Sequence, residues 1–257
     1  HTPFVCPLSL PVALSIFFFA TSSLSLLAIF SLYLYLSPQL PSIEGLSDTR
    51  LQVPLRIYSS DGSLLGEFGE KRRTPKTLDE IPLLMQQAFL ASEDSRFYDH
   101  GGVDYQGILR AVVNLIKTGE RGQGGSTITM QLARNFYLSK EKTYTRKISE
   151  IFLAFKIDHE WSKRQSLALY LNKIYLGRRA YGVAAAAQIY YGKELNQLSV
   201  AQIAMIAGLP KAPSRYNPVI NPERALTRRN YVLSRMHYLE FISDEVFEQE
   251  KMAGITA

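Results

Sequence analysis

A long apolar run close to the first residue dominates the hydrophobic pattern of this chain. No Lys, Arg, Asp or Glu precedes Glu44, and the 26 residues from Pro11 to Leu36 are mostly apolar. A helix of this length crosses a bilayer hydrocarbon core of about 30 Å, whereas a signal peptide has an apolar core of only about 7 to 15 residues. The pattern predicts one retained transmembrane helix over residues 11–36, in preference to a cleaved signal or a buried core helix.

Beyond this run the pattern changes to a short β-like stretch and then to helical periodicity. Two β-like runs flank Asp61-Gly62 and predict a small hairpin. Apolar residues then recur at helical spacing in two stripes, which are Leu109, Val112, Val113 and Ile116, and Ile148, Ile151, Phe152 and Phe155. We expect both stripes to face a core.

Helix start and stop signals extend this interpretation toward the C-terminus. Capping boxes at Ser162–Gln165 and Ser199–Gln202 predict the starts of two further helices. Gly208 followed by Pro210 predicts the end of the second of them. The fold class predicted from these patterns is one mainly α domain behind a membrane helix.

Composition and charge narrow the classes of partner. The 257 residues carry a formal net charge of +6, which favours anionic partners such as nucleic acid, acidic lipid or a phosphorylated substrate. The only cysteine is Cys6, so an internal disulfide framework is excluded.

Two acidic residues lie where a helix end disfavours them. The apolar run Ile81–Ala91 predicts a helix, and Glu93 and Asp94 follow it in the segment EDSRFYDHGG. The C-terminal end of a helix is electronegative, so each carboxylate there costs up to about 1 kcal/mol. Violations of local preference concentrate at functional sites, which makes Glu93 and Asp94 candidates for chemistry.

A glycine-rich loop leads into a basic stretch. The loop Gly119–Ser126 differs from a nucleotide-binding P-loop because Gly125 replaces the essential lysine and no strand precedes it. Five basic residues and one acid follow between Arg134 and Lys147. Glycine N–H groups and clustered cations together suit an anion. Interleaved aromatic residues would also suit nucleic acid, but the membrane helix favours a phosphorylated lipid; a plain flexible surface loop is the alternative.

Glu150 has a functional and a structural interpretation. It lies four residues after Arg146 on a helix predicted from Tyr144 to Trp161, away from the apolar stripe. A surface Arg–Glu pair of this kind stabilises a helix by a few tenths of a kcal/mol, roughly 0.2 to 0.5. Glu93 and Glu150, both expected outside the core with a cationic loop between them, also suggest acid/base chemistry beside a phosphate.

Five segments between Leu55 and Met236 resemble, in order, the motifs of glycosyltransferase family 51, the peptidoglycan glycosyltransferase domain of bacterial class A penicillin-binding proteins, and especially its 1A type. The segments are EDSRFYDHGGVDYQGILRA, GGSTITMQLARN, RKISEIFLAFKI, YLNKIYLGRRAYGVAAAAQIYYGK and AGLPKAPSRYNP. The resemblance implies a lysozyme-like, mainly α fold with a membrane-embedded lower lobe. It implies polymerisation of lipid II into β-1,4-linked glycan strands with release of undecaprenyl diphosphate.

The resemblance also implies an organisation of the chain. Residues 1–10 would be an N-terminal flank, 11–36 the transmembrane helix, 37–54 a linker, 55–240 the glycosyltransferase domain and 241–257 the start of a connection to a further C-terminal region. The catalytic domain would lie on the outer face of the bacterial cytoplasmic membrane. Its partners would be lipid II, the growing glycan, the bilayer, other cell-wall synthesis proteins and a C-terminal transpeptidase domain, and not nucleic acid.

Site residues carry over motif by motif. Glu93 becomes the general base, whose pKa the helix end should raise, and Glu150 a second catalytic carboxylate. Substrate-binding or supporting roles fall on Asp94, Phe97, His100, Gly102, Ser126, Thr127, Gln131, Arg134, Asn135, Lys142, Arg146 and Lys147. No cofactor is obligatory, although a divalent cation such as Mg²⁺ or Mn²⁺ is compatible. Met130 and Gly101 depart from residues common in the family.

Two other functions are alternatives to this one. A glycan-cleaving enzyme on the same fold would need neither the basic residues nor a membrane helix, and a non-catalytic membrane-anchored scaffold would be expected to lose Glu93 or Glu150. SKEK at 139–142 and KTG at 117–119 mimic two penicillin-site motifs. Their order is reversed and no S-x-N is present, so no transpeptidase site is expected in this stretch.

Overall fold

The computed structural model describes residues 10–40, 55–61, 64–68, 74–119, 125–137 and 144–257. The chain divides into two compact units, His1–Ser42 and Ile43–Ala257. In the first unit, helix α1 spans Leu10–Leu36 and is long and apolar enough to cross a membrane. The predicted apolar helix is therefore confirmed.

Three hydroxyl groups within α1 are satisfied by the helix itself. Ser15, Thr21 and Ser25 each donate a hydrogen bond of 2.8–2.9 Å to the carbonyl four residues earlier. This pattern lets a polar side chain reside in an apolar environment, because its hydroxyl needs no partner outside the helix.

In the described residues of the second unit, a β-hairpin is followed by helices. Strands β1 (Leu55–Tyr58) and β2 (Leu64–Phe68) pair antiparallel, as predicted, with Leu55 opposite Phe68. The helices that follow in the described residues are α2 (Leu83–Glu93), α3 (Tyr105–Thr118), α4 (Ile128–Tyr137), α5 (Tyr144–Glu160), α6 (Lys163–Lys173), α7 (Val183–Tyr191), α8 (Val200–Gly208), α9 (Pro222–Tyr238) and α10 (Asp244–Met252). The mainly α fold class is confirmed.

Helix packing creates one main core. Helices α2, α8 and α9 pack against one another, while α4 packs against both α5 and α6. Phe89 of α2 meets Tyr170 of α6 edge-on inside this core, with ring centroids 6.1 Å apart. The C-terminal ends of α2 and α8 and the first turns of α4 are thereby held together, and the candidate site lies among them.

Several helix ends follow the local sequence signals. The predicted capping boxes are present: Ser162 and Ser199 each accept a hydrogen bond from the backbone three residues on, and Gln165 and Gln202 bond back. Helix α8 ends at Gly208, as predicted, and a short 3₁₀ turn follows over Leu209–Lys211. Helix α2 begins at Leu83, directly after Pro82, and ends at Glu93, whereas the apolar run predicted a helix over residues 81–91.

The prediction that both apolar stripes are buried was wrong. On α3, Leu109 is 64% exposed and Ile116 is 78% exposed, and Val112 and Val113 are exposed as well. On α5 the other stripe residues are partly buried, but Phe155 is exposed. Periodicity shows that a helix has an apolar face, whereas burial depends on a neighbouring element to cover it. A contiguous exposed apolar face marks a membrane or protein contact.

Leucine-to-alanine substitutions at one exposed and one buried position test whether the apolar face of α3 is uncovered in the folded protein. Leu109 is exposed on α3 and Leu132 is fully buried on α4. We expect Leu109→Ala to change the free energy of unfolding by less than about 0.5 kcal/mol. Leu132→Ala should lower it by about 2 to 5 kcal/mol, because it leaves a cavity. Urea unfolding in detergent measures both, and equal losses would show that the apolar face of α3 is covered in the folded protein.

Candidate active site

Helix α2 ends at the wall of a cleft. The cleft has a volume of about 390 Å³ and is lined by the end of α2, by α3 and by residues 125–127 before α4. Glu93 is the last residue of α2, and it lines the cleft together with Ser126 and Thr127. The acid of the first motif and the hydroxyls of the second motif therefore share one opening.

Both carboxylate oxygens of Glu93 have protein partners. The Gln131 amide Nε2 donates to Oε2 at 2.9 Å, and Nη2 of Arg228 lies 3.3 Å from Oε1. The Glu93 side chain is 12% exposed. Burial raises the pKa of Glu93, while the hydrogen bond from Gln131 and the charge of Arg228 act against that rise. The pKa of Glu93 is raised, as expected for a carboxylate at the end of a helix, but the main cause of the rise is burial.

The orientation of Gln131 is set from behind by Tyr170. The Tyr170 hydroxyl donates to Oε1 of Gln131 at 3.1 Å, which leaves the amide NH₂ group to face Glu93. Tyr170 is fully buried on α6, and its pKa lies well above the usual tyrosine value because of that burial. The result is a chain of hydrogen bonds from the core to the carboxylate.

Asp94 is bound to the protein rather than available to substrate. Both of its carboxylate oxygens lie 3.0 Å from Nε2 of His100, and Oδ2 accepts the Ile128 N–H at 3.0 Å. This bond places a negative charge at the N-terminus of α4, where the helix dipole favours it. Phe97 is buried and contacts the His100 ring edge-on. Asp94, Phe97 and His100 thus join α2 to α4.

Gly102 and Thr127 complete this junction. Gly102 has φ +82°, and a Cβ atom there would lie 2.5 Å from the carbonyl oxygen of Ala154, so only glycine fits. Its own carbonyl accepts a hydrogen bond of 2.6 Å from the Thr127 hydroxyl, which in turn accepts the Met130 N–H. Thr127 therefore caps α4, the helix that carries Gln131 and Arg134.

Glu150 is buried, contrary to the expectation that it lies outside the core. Its side chain is 2% exposed and is paired with Lys147, whose Nζ lies 2.7 Å from Oε2. Nε of Arg146 lies 3.5 Å from Oε1. Helix α5 packs against both α4 and α6, so a position away from its apolar stripe is still covered. The interpretation as a weak surface pair does not fit this environment.

Lys147 connects this acid to the cleft. Its Nζ also donates to the Ser126 hydroxyl at 2.7 Å, and Ser126 lines the cleft. The cationic end of the site therefore lies beside the opening that contains Glu93. Asn135 is exposed and Arg134 is partly exposed on α4, where the charge of Arg134 lowers the pKa of Glu93. Lys142 lies outside the described residues.

Arg228 and Tyr170 were not predicted from the sequence as site residues. Arg228 lies 135 positions after its partner Glu93, and it is one of two adjacent arginines on α9. Tyr170 belongs to an ordinary helical pattern on α6. No pattern in the sequence marks either residue, because the burial that makes Arg228 require a partner is visible only in the folded structure.

The donor set fits a resident divalent cation poorly. Within the described ranges no three His, Cys, Asp or Glu side chains cluster as metal ligands. Glu150 already has Lys147 and Arg146 as partners, and Asp94 has His100. Hard divalent cations prefer several free carboxylate or carbonyl oxygens, so these two acids are poor ligands as they stand.

Known proteins resemble this chain over most of its length. The transglycosylase family matches residues 61–237, which include every described residue of the site. Penicillin-binding protein 1A of Escherichia coli (strain K12) is 55% identical over 230 residues, or 90% of this chain and 27% of that protein. Penicillin-binding protein 1A of Pseudomonas aeruginosa is 53% identical over 223 residues, or 87% of this chain and 27% of that protein.

One solved structure is also similar. The crystal structure of penicillin-binding protein 1A from Haemophilus influenzae has 34% sequence identity and a TM-score of 0.47, and the match covers 81% of this chain and 22% of that one. The chain spans about a quarter of the length of the curated relatives it matches, with 27% of each covered.

The bonds of Asp94 can be tested by a single-atom change. Asp94→Asn keeps the shape but weakens the acceptor for His100 and for the N-terminus of α4. We expect the free energy of unfolding to fall by about 1 to 3 kcal/mol. Asp99→Asn, at an exposed position five residues away, should stay within about 0.5 kcal/mol of the wild type. If both variants unfold like the wild type, Asp94 does not stabilise the junction.

Proposed function

This chain belongs to the transglycosylase family, and we propose that it is a peptidoglycan glycosyltransferase that polymerises lipid II into β-1,4-linked glycan strands. The observation that carries the proposal is Glu93, a mostly buried carboxylate that faces a cleft and is held by Gln131 and Arg228. A carboxylate held in this way suits proton abstraction, because its partners fix its orientation and burial raises its pKa, which makes it a stronger base.

The proposed reaction joins two sugars and releases a diphosphate. Glu93 accepts the proton of the acceptor 4-hydroxyl as that oxygen attacks the anomeric carbon of the donor. The new C–O bond forms while the bond from that carbon to the diphosphate oxygen breaks, and undecaprenyl diphosphate leaves with the electron pair. Arg228 and Gln131 hold the base ready in its ionised form, since both interactions favour the carboxylate over the protonated acid.

The cations beside Ser126 supply the proposed diphosphate site. Lys147 reaches the cleft through Ser126, and Arg146 shares the Glu150 carboxylate with Lys147. We extend the site to Arg134, to Asn135 and, by family resemblance, to Lys142. Charge-assisted hydrogen bonds to phosphate oxygens are the strong ones, which would stabilise the developing negative charge of the leaving group. In the free protein the single negative charge of Glu150 offsets part of the positive charge of Arg146 and Lys147.

A membrane location fits a lipid-linked substrate. Helix α1 is able to span a bilayer, and the exposed apolar face of α3 lies in the unit that contains the cleft. We propose that this face enters the lipid and that the domain lies on the outer side of the cytoplasmic membrane. The net charge of +6 would favour an acidic lipid surface. Other cell-wall synthesis proteins and a transpeptidase domain are proposed partners of a longer protein.

A divalent cation is not required by the proposal. The carboxylates of the described site are already paired with cationic or N–H groups. A Mg²⁺ or Mn²⁺ ion that arrives on the substrate diphosphate would remain compatible with it, because hard cations bind phosphate oxygens.

The role of Glu93 is tested by Glu93→Gln. This change keeps the shape and removes the base, so polymerisation of lipid II should fall by about 10² to 10⁴-fold, the usual contribution of a positioned base. Gel analysis of glycan made from labelled lipid II measures the rate. Glu245→Gln, at an exposed position on α10, is the matched control and should keep full turnover. Near-normal turnover in Glu93→Gln would remove this residue from the mechanism.

Glu150→Gln and Arg146→Ala separate catalysis from anion binding. Arg146→Ala should weaken both turnover and the binding of a phosphoglycolipid such as moenomycin, because a charge-assisted contact of about 1.5 to 3 kcal/mol is lost. Glu150→Gln should lose turnover but bind the phosphoglycolipid as well as the wild type or better, because one anion beside the phosphate is removed.

Fluorescence polarisation with a labelled phosphoglycolipid measures the binding, and circular dichroism shows whether each variant is folded. Retained turnover in Glu150→Gln would contradict its catalytic role. Equal losses of phosphoglycolipid affinity in both variants would contradict the assignment of Arg146 to the anion site.

A further inference from the structure

We propose that Arg228 and Tyr170 are positioning residues for Glu93, Arg228 through a direct ion pair and Tyr170 through the amide of Gln131. The inference rests on the proposed function, since a positioned carboxylate matters to the reaction only where Glu93 is the base. Arg228 lies on helix α9, outside the five family-like segments, and Tyr170 lies on α6, at the first position of the fourth segment.

Arg228 is held so that its guanidinium cannot turn away from Glu93. Its Nη2 lies 3.3 Å from Oε1 of Glu93, its Nε donates to the Gly208 carbonyl at 3.2 Å, and its guanidinium carbon lies 4.6 Å from the Tyr231 ring centre. A Cβ atom on Gly208 would lie 2.9 Å from Cγ of Arg228, so the glycine at the end of α8 makes room for the arginine stem. The planar fork is thus fixed on three sides.

Tyr170 determines which end of the Gln131 amide meets the carboxylate. A glutamine can present either its oxygen or its NH₂ group, and only the NH₂ group can donate to Glu93. The Tyr170 hydroxyl donates to the amide oxygen at 3.1 Å, which fixes the favourable orientation. Without that hydroxyl the buried amide oxygen has lost its donor, and the reversed amide would place an oxygen against the carboxylate.

Other charged groups also face Glu93, but at longer range. Arg134 on α4 and Lys211 in the turn after α8 also lower the pKa of Glu93, but their effects are smaller than those of Gln131 and Arg228. Asp94, next in the chain, is bound to His100 and to the Ile128 N–H. Among the described residues, Arg228 is the cation that forms an ion pair with Glu93. Removing it leaves burial less opposed, so Glu93 should hold its proton to higher pH.

The test combines a pH profile with direct titration of Glu93. Arg228→Gln and Tyr170→Phe are assayed for turnover of lipid II against pH. The Glu93 carboxyl is followed by carbon NMR of glutamate-labelled protein in detergent, with its signal assigned by its loss in Glu93→Gln. In both variants we expect the acid limb of the profile and the Glu93 titration to move to higher pH. We expect kcat to fall by about 10²-fold, the loss typical of a misplaced catalytic group, with KM little changed.

Arg228→Lys separates the effect of the positive charge from the effect of the directed guanidinium hydrogen bonds. It keeps the positive charge but cannot make the two directed guanidinium bonds to Glu93 and Gly208. We expect the Glu93 titration to return most of the way to that of the wild type, while kcat stays reduced by about tenfold or more. Full recovery of kcat would show that charge alone is sufficient and would overturn the positioning role of Arg228.

Two neighbours provide matched controls. Arg229 is a buried arginine on the same helix, but it donates to the carbonyls of Lys251 and Ala253. Tyr190 is a buried tyrosine that donates to the Leu176 carbonyl at 2.9 Å. Arg229→Gln and Tyr190→Phe therefore lose comparable bonds elsewhere, and we expect lower melting temperatures with the titration of Glu93 unmoved.

The outcomes distinguish this proposal from the proposed function. An unmoved Glu93 titration in folded Tyr170→Phe and Arg228→Gln overturns the positioning roles. If Arg228→Gln does not fold, Tyr170→Phe tests the role of the hydrogen-bond chain and Arg228→Lys tests the role of the arginine. A shifted titration in a protein that makes no glycan supports the positioning roles and removes the glycosyltransferase function. Full turnover in Glu93→Gln removes Glu93 as the base, and with it the catalytic relevance of its positioning, whatever the titration shows.

Discussion

The structure depends on keeping one carboxylate charged where water is largely excluded. A buried ionised acid is costly unless hydrogen bonds and cations replace its hydration. Glu93 obtains these from Gln131 on α4 and Arg228 on α9, while α2 brings the acid itself to the cleft. Three helices distant in sequence must therefore meet at one point. The buried junction of Asp94, His100 and Ile128 holds two of these helices together at that point.

The second carboxylate is compensated in a different way. Glu150 pairs with Lys147 and Arg146 from its own helix, and Lys147 also reaches Ser126 at the cleft. An incoming diphosphate would compete with Glu150 for the same cations, whereas Glu93 has neutral and cationic donors that the substrate does not need. The two glutamates thus suit different tasks, one as a base and one beside the leaving group.

Local signals in the sequence predicted local features well. Capping boxes at Ser162 and Ser199 and the acid at the end of α2 are all present. The exposure of Leu109 on α3 and the burial of Glu150 on α5 were predicted wrongly, because each depends on which element covers a helix face. Arg228 could not be found at all, since its bond to Glu93 joins residues 135 positions apart and no local pattern records such a contact.

Product analysis with two substrates in parallel tests most directly whether this chain polymerises or cleaves glycan. The purified chain in detergent is given labelled lipid II in one reaction and preformed uncross-linked glycan in the other. We expect long glycan and free undecaprenyl diphosphate from the first reaction, and no shortening of strands in the second. Shortened strands without any polymer would contradict this expectation and would assign the carboxylate of Glu93 to glycan cleavage, the chemistry of a lysozyme-like hydrolase.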